Sequence, residues 1–411
     1  MKKIVFSTVL IALTVLMSAC SNDDSEDMTP VKENSRTVLV YMAGRNNLSF
    51  TIDDDIDELK KGSKGLDSHE NLLVFVRKDD GSQQPWLARI MNGVLTDSVS
   101  LSDMGISGID GENRASDPVV MEGVLRYAFN HYPATEGNYG LVLWGHSDGW
   151  FFHDEVKRAK KRAYGYDEGN VPGNSSVSWM NISTLAEVLS DLPHLKFIMA
   201  DCCNFMCLEV LYDLRHVCDY IIGSPAEIPG GGAPYDLIVS DLFADGPFYT
   251  SIIDKYYQSL DGFLPLTAVK TSEMDHVAQV TRQAMLATRA SIGEGYADMT
   301  GVIHYYYTKL SIDFLREYCM CYDAGDFFLS HAPQDVYRQW KQVLDKAVVY
   351  RRIATEWETN KIWDFSFSDF TVTEEKMHGV SMFVEQDPTK GNYAKYNEDI
   401  KQTAWWKMVG L

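Results

Sequence analysis

Residues 141–150 read LVLWGHSDGW, an apolar run that passes directly into a short polar turn. The run LVLW is typical of a buried β-strand, and His146 and Ser147 stand at its carboxyl end. Both side chains are of types that enzymes use in catalysis, His as an acid or base and Ser as a nucleophile. The stretch therefore predicts a core strand that ends in reactive groups.

Similar apolar runs alternate with amphipathic stretches on either side of this strand. The pattern predicts strands at 37–43, 71–77, 139–145, 195–201 and 219–225, and helices near 52–61, 117–131, 181–191 and 205–215. The stretch 86–101 predicts a hairpin, because Asn92-Gly93 at its centre is a turn signal. Strands that alternate with helices indicate an α/β fold with a mostly parallel sheet, flanked by helices on both faces.

A second strand also ends in candidate chemistry. The strand predicted at 195–201 is followed by Cys202 and Cys203 and then by a helical pattern. In parallel sheets, functional side chains gather at the carboxyl ends of the strands. A cysteine before a helix N-terminus is expected to have a lowered pKa, and His146 on a neighbouring strand end would then serve as acid or base.

A serine hydrolase is the alternative, because the GHSDG run matches the G-x-S-x-G nucleophile pattern. Ser147 would need an acid, for which Asp201 is a candidate, and a histidine later in the chain. The candidates for that base are His276, His304, His331 and His378. The bulky Trp150, Phe151 and Phe152 directly after the turn do not favour the tight turn into a packed helix that this pattern requires.

Several segments together resemble the clostripain family of cysteine peptidases. They are RTVLVYMAGRNNL, LVLWGHSDGW, KFIMADCCNFMCLE, HGVSMFVEQD and YAKYNEDIKQTAWWKMV, and the resemblance runs from about residue 37 to the C-terminus. It implies the caspase-like fold shared with caspases, gingipains and legumains, and cleavage of peptide bonds by a Cys/His dyad. The substrate would be a peptide or protein, and no cofactor is required.

The resemblance assigns roles to residues at both strand ends. His146 matches the general acid/base and Cys203 the nucleophile, with the backbone N–H groups of Ser147 and Cys203 as oxyanion donors. Two neighbours depart from the family pattern, since Ser147 replaces a glycine and Cys202 replaces an alanine. A lipoprotein that kept the fold, lost turnover and binds peptides is therefore the rival hypothesis.

Specificity for a basic residue before the scissile bond is a further implication. Asp201 matches a family acid near that pocket, and Glu227 and Gly231 lie in the glycine-containing loop after the next strand. Basic-specific members carry another acid in this loop, where this chain has three glycines, so Glu227 is the nearest replacement. The alternative for Asp201 is a structural acid that caps the following helix.

Family traits also suggest activation and metal hypotheses. Related enzymes are cut to activate themselves at a position that corresponds here to the basic residues Lys157, Arg158, Lys160, Lys161 and Arg162. A solvated charge run is the alternative. Calcium is a family trait, although the DDDIDE run at 53–58 lacks the alternating ligands and turn glycine of a calcium loop, and no other metal site is predicted.

The N-terminus reads as an export signal. Residues 1–19 have the layout of a secretory signal peptide, and LMSAC resembles a lipoprotein box that would make Cys20 the acylated N-terminus. Residues 20–35 read as a polar tether, so we expect an exported lipoprotein of the outer membrane or cell surface, held by lipid alone. The alternative is a secreted protein with a free Cys20.

Composition limits the remaining possibilities. The net charge of −21 argues against nucleic-acid binding, which requires clustered Lys and Arg. The clustered cysteines do not form a disulfide framework. We expect a monomer with a peptidase core at 36–250 and a C-terminal α/β extension at 251–411 that packs on the core.

Overall fold

The structure, a computed structural model, describes residues 35–79, 84–152, 164–169, 178–309, 317–357, 370–391 and 393–410. Its strands are β1 (Arg36–Gly44), β2 (Glu70–Lys78), β3 (Trp86–Met91), β4 (Val94–Ser100), β5 (Tyr139–Gly145), β6 (Tyr164–Asp167), β7 (Ser178–Met180), β8 (Leu195–Asp201), β9 (Cys218–Gly223), β10 (Leu266–Lys270), β11 (His304–Lys309), β12 (Glu317–Asp323), β13 (Val348–Arg352) and β14 (Ser381–Met382). Its helices are α1 (Ile52–Gly62), α2 (Pro118–His131), α3 (Ile182–Ser190), α4 (Leu208–Asp213), α5 (Tyr235–Leu242), α6 (Phe248–Ser259), α7 (Met274–Ile292), α8 (Ala324–His331), α9 (Gln334–Ala347), α10 (Tyr393–Asp399) and α11 (Ala404–Val409).

One sheet of nine strands organises these elements. Its order is β13-β10-β9-β8-β5-β1-β2-β3-β4, and β1, β2, β5, β8 and β9 run parallel. The antiparallel strands β3 and β4 extend one edge, and β10 and β13 extend the other. The predicted mostly parallel α/β sheet and the hairpin at 86–101 are therefore confirmed.

Both faces of the central strands are buried. Along β1, Leu39 and Tyr41 belong to one hydrophobic cluster, whereas Val38 and Val40 belong to a second one. This alternation follows from the two-residue period of a strand, whose side chains point to opposite faces. The first cluster includes residues of α2 and α3, and the second includes residues of α1, α5 and α6. Helices thus cover both faces of the sheet, and for this reason its central strands are almost entirely apolar.

Several elements differ from the sequence-based expectation. Cys319 and Cys321 lie in the strand β12, which was not predicted, and α8 begins at Ala324. The small β6–β7 sheet was not predicted. Strands β10 and β13 lie after residue 250 yet belong to the main sheet, and the domain boundary there stays a prediction. Among the described residues, no helix combines the length and hydropathy needed to cross a membrane.

A buried carboxylate, Asp323, ties the chain after β12 to the segment before β14. Its Oδ1 accepts hydrogen bonds from the backbone N–H groups of Gly325 and Asp326, and its Oδ2 accepts from those of His378 and Gly379. The His378 ring lies 3.3 Å from Oδ1, and neither side chain is exposed. Hydrogen bonding and the nearby imidazole outweigh burial and lower the pKa of Asp323. The charged carboxylate is therefore a structural group.

We expect Asp323→Ala to lower the free energy of unfolding by about 3–5 kcal/mol, because it leaves buried donors without an acceptor. Chemical denaturation at pH 7 measures this change. Because the folded-state pKa is lowered, the stabilisation is present above the unfolded-state pKa and is lost as the pH falls through the folded-state value.

Asp245→Ala is the matched control. Asp245 also pairs with a buried cation, Arg36, but its own side chain is fully exposed, so we expect little change. Equal effects of the two substitutions would contradict the assignment of Asp323 as a structural group.

Candidate active site

The two strands that end in candidate chemistry are neighbours in the sheet. Strands β5 and β8 pair in parallel, with Trp144 opposite Asp201. His146 and Cys203 each follow two residues later and so emerge at the same edge. Both line one cavity of about 110 Å³, together with Trp144, Asp201 and, from the loop after β9, Ile228, Pro229, Gly230 and Gly232. The structure thus brings the predicted histidine and cysteine to one site.

The backbone at both strand ends adopts unusual conformations. Gly145 has φ 136°, and a Cβ there would lie 2.8 Å from the carbonyl oxygen of Ala43, so only glycine fits before His146. Asn204 has φ 55°, in the left-handed region that asparagine tolerates better than most residues. These turns direct the side chains of His146 and Cys203 into the cavity.

A side chain that the sequence analysis missed holds the His146 ring. Nε2 lies 2.6 Å from Oδ1 of Asn47, in the loop after β1. Because an amide oxygen only accepts hydrogen bonds, Nε2 carries the ring proton and Nδ1 keeps its lone pair. Burial lowers the pKa of His146 from its ordinary value of 6.5, with the charge of Asp148 opposing. At neutral pH the ring is therefore uncharged, with Nδ1 as the basic atom.

The Cys203 thiol is also uncharged. Its sulfur lies 3.3 Å from the backbone nitrogen of Ile228, which donates to it, and 3.9 Å from the carbonyl oxygen of the same residue. Burial raises the pKa of Cys203 to about 12, although the Ile228 N–H opposes this shift. The prediction of a lowered pKa is wrong, since α4 begins only at Leu208 and burial outweighs any helix effect.

The two departures from the family pattern contact each other. The side chains of Ser147 and Cys202 form a hydrogen bond, and Ser147 Oγ also accepts one from the backbone N–H of Gly149 at 3.1 Å. Ser147 is 2% exposed and Cys202 is 1% exposed. The Ser147 hydroxyl is therefore buried. The Ser147 backbone pairs with Tyr164 of strand β6 and does not lead into a helix, as a nucleophile turn would. The structure gives Ser147 no environment for a nucleophile.

Two buried carboxylates lie at and behind the floor of the cavity, and neither forms an ion pair with a Lys or Arg side chain among the described residues. Asp201 accepts hydrogen bonds from the hydroxyls of Tyr235 at 2.7 Å and Tyr256 at 2.9 Å, and from the backbone N–H of Ala233. Asp55 of α1 accepts one from Trp144 Nε1 at 2.8 Å. Burial, followed by the charge of Asp201, raises the pKa of Asp55 to about 8. Asp201 therefore does not act as a cap for α4, since its three partners belong to other elements.

The other candidate residues have different positions. Glu227 is half-buried beside Cys203, where its charge adds to the rise of the thiol pKa, but it does not line the cavity. Gly231 is exposed and also does not line it, whereas Gly230 and Gly232 do. Cys20 and the basic residues of 157–162 lie outside the described residues.

A bound metal ion requires several donor side chains that lie close together. Within the described residues, no group of three or more His, Cys, Asp and Glu side chains is arranged to hold a metal ion. In the DDDIDE run, Asp53 forms an ion pair with Lys78, and Asp55 bonds to Trp144. Asp53 and Asp55 therefore do not fit a site for calcium, the metal that the family resemblance implies. No chemical step is assigned to a metal.

The Asn47 bond predicts how His146 titrates. In the wild type we expect a His146 pKa below 6.5, and we expect Asn47→Asp to raise it above that value, because a carboxylate stabilises the imidazolium. Histidine NMR titration measures both values. Ser49→Asp is the control. Ser49 lies in the same loop as Asn47, but its side chain hydrogen-bonds the backbone of Asp79 after β2 and not His146. An unchanged titration in Asn47→Asp would show that the bond to His146 does not exist in solution.

Two sequence comparisons match this chain to the same protein family. The family model described as the clostripain family, peptidase C11, matches residues 40–409. Clostripain of Hathewaya histolytica is 22% identical over 235 residues, which is 52% of this chain and 43% of that protein. The match thus spans less than half the length of that relative.

Two solved structures are similar over nearly their whole length. A secreted C11 cysteine protease from Bacteroides thetaiotaomicron, in complex with an irreversible peptide inhibitor, is 27% identical with a TM-score of 0.68. An inactive zymogen C11 protease from Parabacteroides distasonis is 25% identical with a TM-score of 0.71. Each alignment covers 92% of this chain and 99% of the other. The caspase-like fold is confirmed by these neighbours. Because the family match extends over nearly all of the described residues, this chain belongs to the clostripain family of C11 peptidases.

Proposed function

We propose that this chain is a cysteine endopeptidase that hydrolyses peptide bonds with Cys203 as nucleophile and His146 as general acid and base. The observation that carries the proposal is the shared cavity of these two side chains at the ends of adjacent parallel strands. Family membership supports it. So does the hydrogen bond between Ser147 and Cys202, which keeps both unusual side chains almost fully buried although Cys202 lines the cavity.

The reaction starts from two neutral groups. The Cys203 sulfur hydrogen-bonds the backbone of Ile228, and the His146 ring hydrogen-bonds Asn47. Cys203 and His146 therefore do not form an ion pair before the substrate binds. We infer that Nδ1 of His146 takes the thiol proton as the sulfur attacks the substrate carbonyl carbon. The imidazolium then protonates the departing amine, and water hydrolyses the thioester with His146 again as base.

The developing oxyanion needs donors that are already in place. The backbone N–H groups of Ser147 and Cys203 serve this role in the proposal, as the family resemblance implies. Side-chain substitutions leave such donors intact provided that the backbone path is kept. The glycine at position 145 and the left-handed Asn204 fix that path at both strand ends.

A preference for a basic residue before the scissile bond fits the floor of the cavity. Asp201 lines it, and Asp55 lies behind the Trp144 wall. Neither carboxylate forms an ion pair with a described Lys or Arg side chain. Burial raises the pKa values of both carboxyls, and their hydrogen bonds offset this rise only in part. A guanidinium or ammonium group of the substrate would stabilise the charged forms further.

We also propose that the chain is exported and held at the outer membrane or cell surface by a lipid on Cys20. The signal-like residues 1–19 and the lipoprotein-like LMSAC segment support this part of the proposal. Self-cleavage at the basic run 157–162 would follow from a basic preference. The rival hypothesis, a peptide-binding protein without turnover, is an outcome of the first test below.

Kinetics of variants test the dyad. With a quenched fluorescent peptide, we expect Cys203→Ala to abolish turnover and His146→Ala to lower kcat/KM by roughly 10²–10⁴-fold. Cys202→Ala restores the residue of the family pattern and should retain activity. A wild type that binds peptide without turnover would favour the hypothesis of a peptide-binding protein. Loss of activity in Cys202→Ala but not in Cys203→Ala would show that Cys203 is not the nucleophile.

The basic preference has its own test. Replacing the Asp201 carboxylate by an amide, Asp201→Asn, should lower kcat/KM for arginyl peptides by about 10–100-fold, since a charge-assisted hydrogen bond is lost. Matched peptides with a neutral residue should change less. Glu227→Gln is the control, because Glu227 does not line the cavity. Equal cleavage of arginyl and neutral peptides by the wild type would contradict a basic preference.

Self-processing is tested by replacing the five basic residues of 157–162 with glutamine. We expect the variant to stay intact and less active, and trypsin to have no site left in this run, because trypsin cleaves after Lys and Arg. Mass spectrometry of the wild type should find a cut within 157–162 that is missing in Cys203→Ala. Full activity of the intact variant would rule out this activation step.

A further inference from the structure

In the proposed reaction, His146 protonates the amine that leaves, and this requirement fixes where one residue of the substrate lies. The leaving amine belongs to the residue after the scissile bond, here called the leaving residue. His146 must come within hydrogen-bond distance of that amine to protonate it. The side chain of the leaving residue therefore lies beside the imidazole. The cavity that holds Asp201 is reserved for the residue before the bond, so the leaving residue lies on another side of the ring.

Two aromatic side chains flank His146 outside that cavity. The Tyr166 ring is edge-on to the imidazole, with centroids 5.9 Å apart at 87°, and the Trp179 ring lies at 6.4 Å. The two aromatic rings also contact each other, with centroids at 5.3 Å. Neither residue lines the cavity shared by His146 and Cys203, and both are half-exposed. With the imidazole they form an aromatic corner on this side of the proposed dyad.

The hairpin that carries these rings is fixed to the catalytic loops. The backbone N–H of Gly165 donates to the carbonyl oxygen of His146 at 3.0 Å. Asn46, next to the Asn47 that holds the imidazole, donates through Nδ2 to the carbonyl oxygen of Tyr166 at 2.7 Å. The β6–β7 pairing places Tyr164 opposite Met180, which ties Trp179 to the same unit. The rings and the imidazole thus keep a fixed relation, as a substrate subsite requires.

We propose that Tyr166 and Trp179 form the subsite for the leaving residue and that this subsite takes an apolar or aromatic side chain. The inference rests on the proposed dyad. Half-exposed aromatic rings gain most from contact with apolar or aromatic partners. The Glu168 carboxylate, 3.3 Å from the Tyr166 hydroxyl, repels an acidic side chain there. The chain therefore discriminates on both sides of the scissile bond, by charge before it and by apolar contact after it.

The experiment uses internally quenched peptides that are identical except for Phe, Leu, Gly or Asp as the leaving residue. The full wild-type chain is compared with Trp179→Ala, Tyr166→Ala and Tyr166→Phe. We expect the wild type to cleave the Phe and Leu peptides roughly threefold to tenfold more efficiently than the Gly peptide, the range of one aromatic contact. Both alanine variants should reduce this ratio towards one, and Tyr166→Phe should keep it because the ring remains.

Two controls separate the subsite from other roles of these rings. Tyr296→Ala removes an exposed aromatic ring that lines a different cavity and should leave every ratio unchanged. An arginyl chloromethyl ketone releases only chloride and has no residue after the reacting carbon, so its inactivation rate should be the same in the wild type and in the ring variants. If the ring variants slow this probe as much as they slow the peptides, the rings only position His146 and the subsite is wrong.

The remaining outcomes also decide the question. Equal cleavage of the Phe and Gly peptides by the wild type, or a ratio that survives both alanine substitutions, would overturn the subsite while leaving the dyad intact. A wild type that neither cleaves any peptide nor reacts with the probe would instead overturn the dyad, and the subsite with it.

Discussion

The parallel pairing of β5 with β8 is the constraint on which the site depends. It places Trp144 opposite Asp201, so that the chain leaves both strands at one edge and His146 and Cys203 enter one cavity. The same pairing makes Asp201 the floor of that cavity and Trp144 its wall. A shift of one residue in this register would turn the side chains to the opposite faces of the sheet. The continuous apolar packing on both faces holds the register.

The residues around the dyad divide into a substrate side and a buried side. Ser147 and Cys202, which depart from the family pattern, bond to each other on the buried side. Asn47 fixes the imidazole with Nδ1 as its basic atom, and burial keeps both the imidazole and the thiol neutral. In the proposed mechanism, the proton therefore passes from Cys203 to His146 in the step in which the substrate is attacked. The altered neighbours do not require a loss of turnover.

Much of the sheet was predictable because its strands are continuous apolar runs bounded by polar turns. Strands β5 and β8 have the predicted bounds, and the Asn92-Gly93 turn lies between β3 and β4 as expected. The strand β12 was not predicted, because a short apolar run fits a strand and a helix equally well. Side-chain periodicity carried no signal for the short β6–β7 sheet.

The site was predictable only where chemistry directly follows a strand. His146 and Cys203 follow a strand and Asp201 ends one, whereas Asn47 and Asp55 reach the site from the loop and helix after β1. Contacts of this kind depend on three-dimensional packing, which sequence spacing does not encode. The direction of the Cys203 pKa shift was missed for the same reason, because burial could not be weighed before the fold was known.

Mapping of a covalent adduct tests the central claim most directly. The full chain would be treated with an arginyl acyloxymethyl ketone, and the modified cysteine identified by mass spectrometry of its peptides. We expect one adduct, on Cys203, since Cys202 lines the same cavity but is only 1% exposed and hydrogen-bonds Ser147, and Cys207 is buried in the core. An adduct on another cysteine, or none on a folded chain that binds peptide, would contradict Cys203 as the nucleophile.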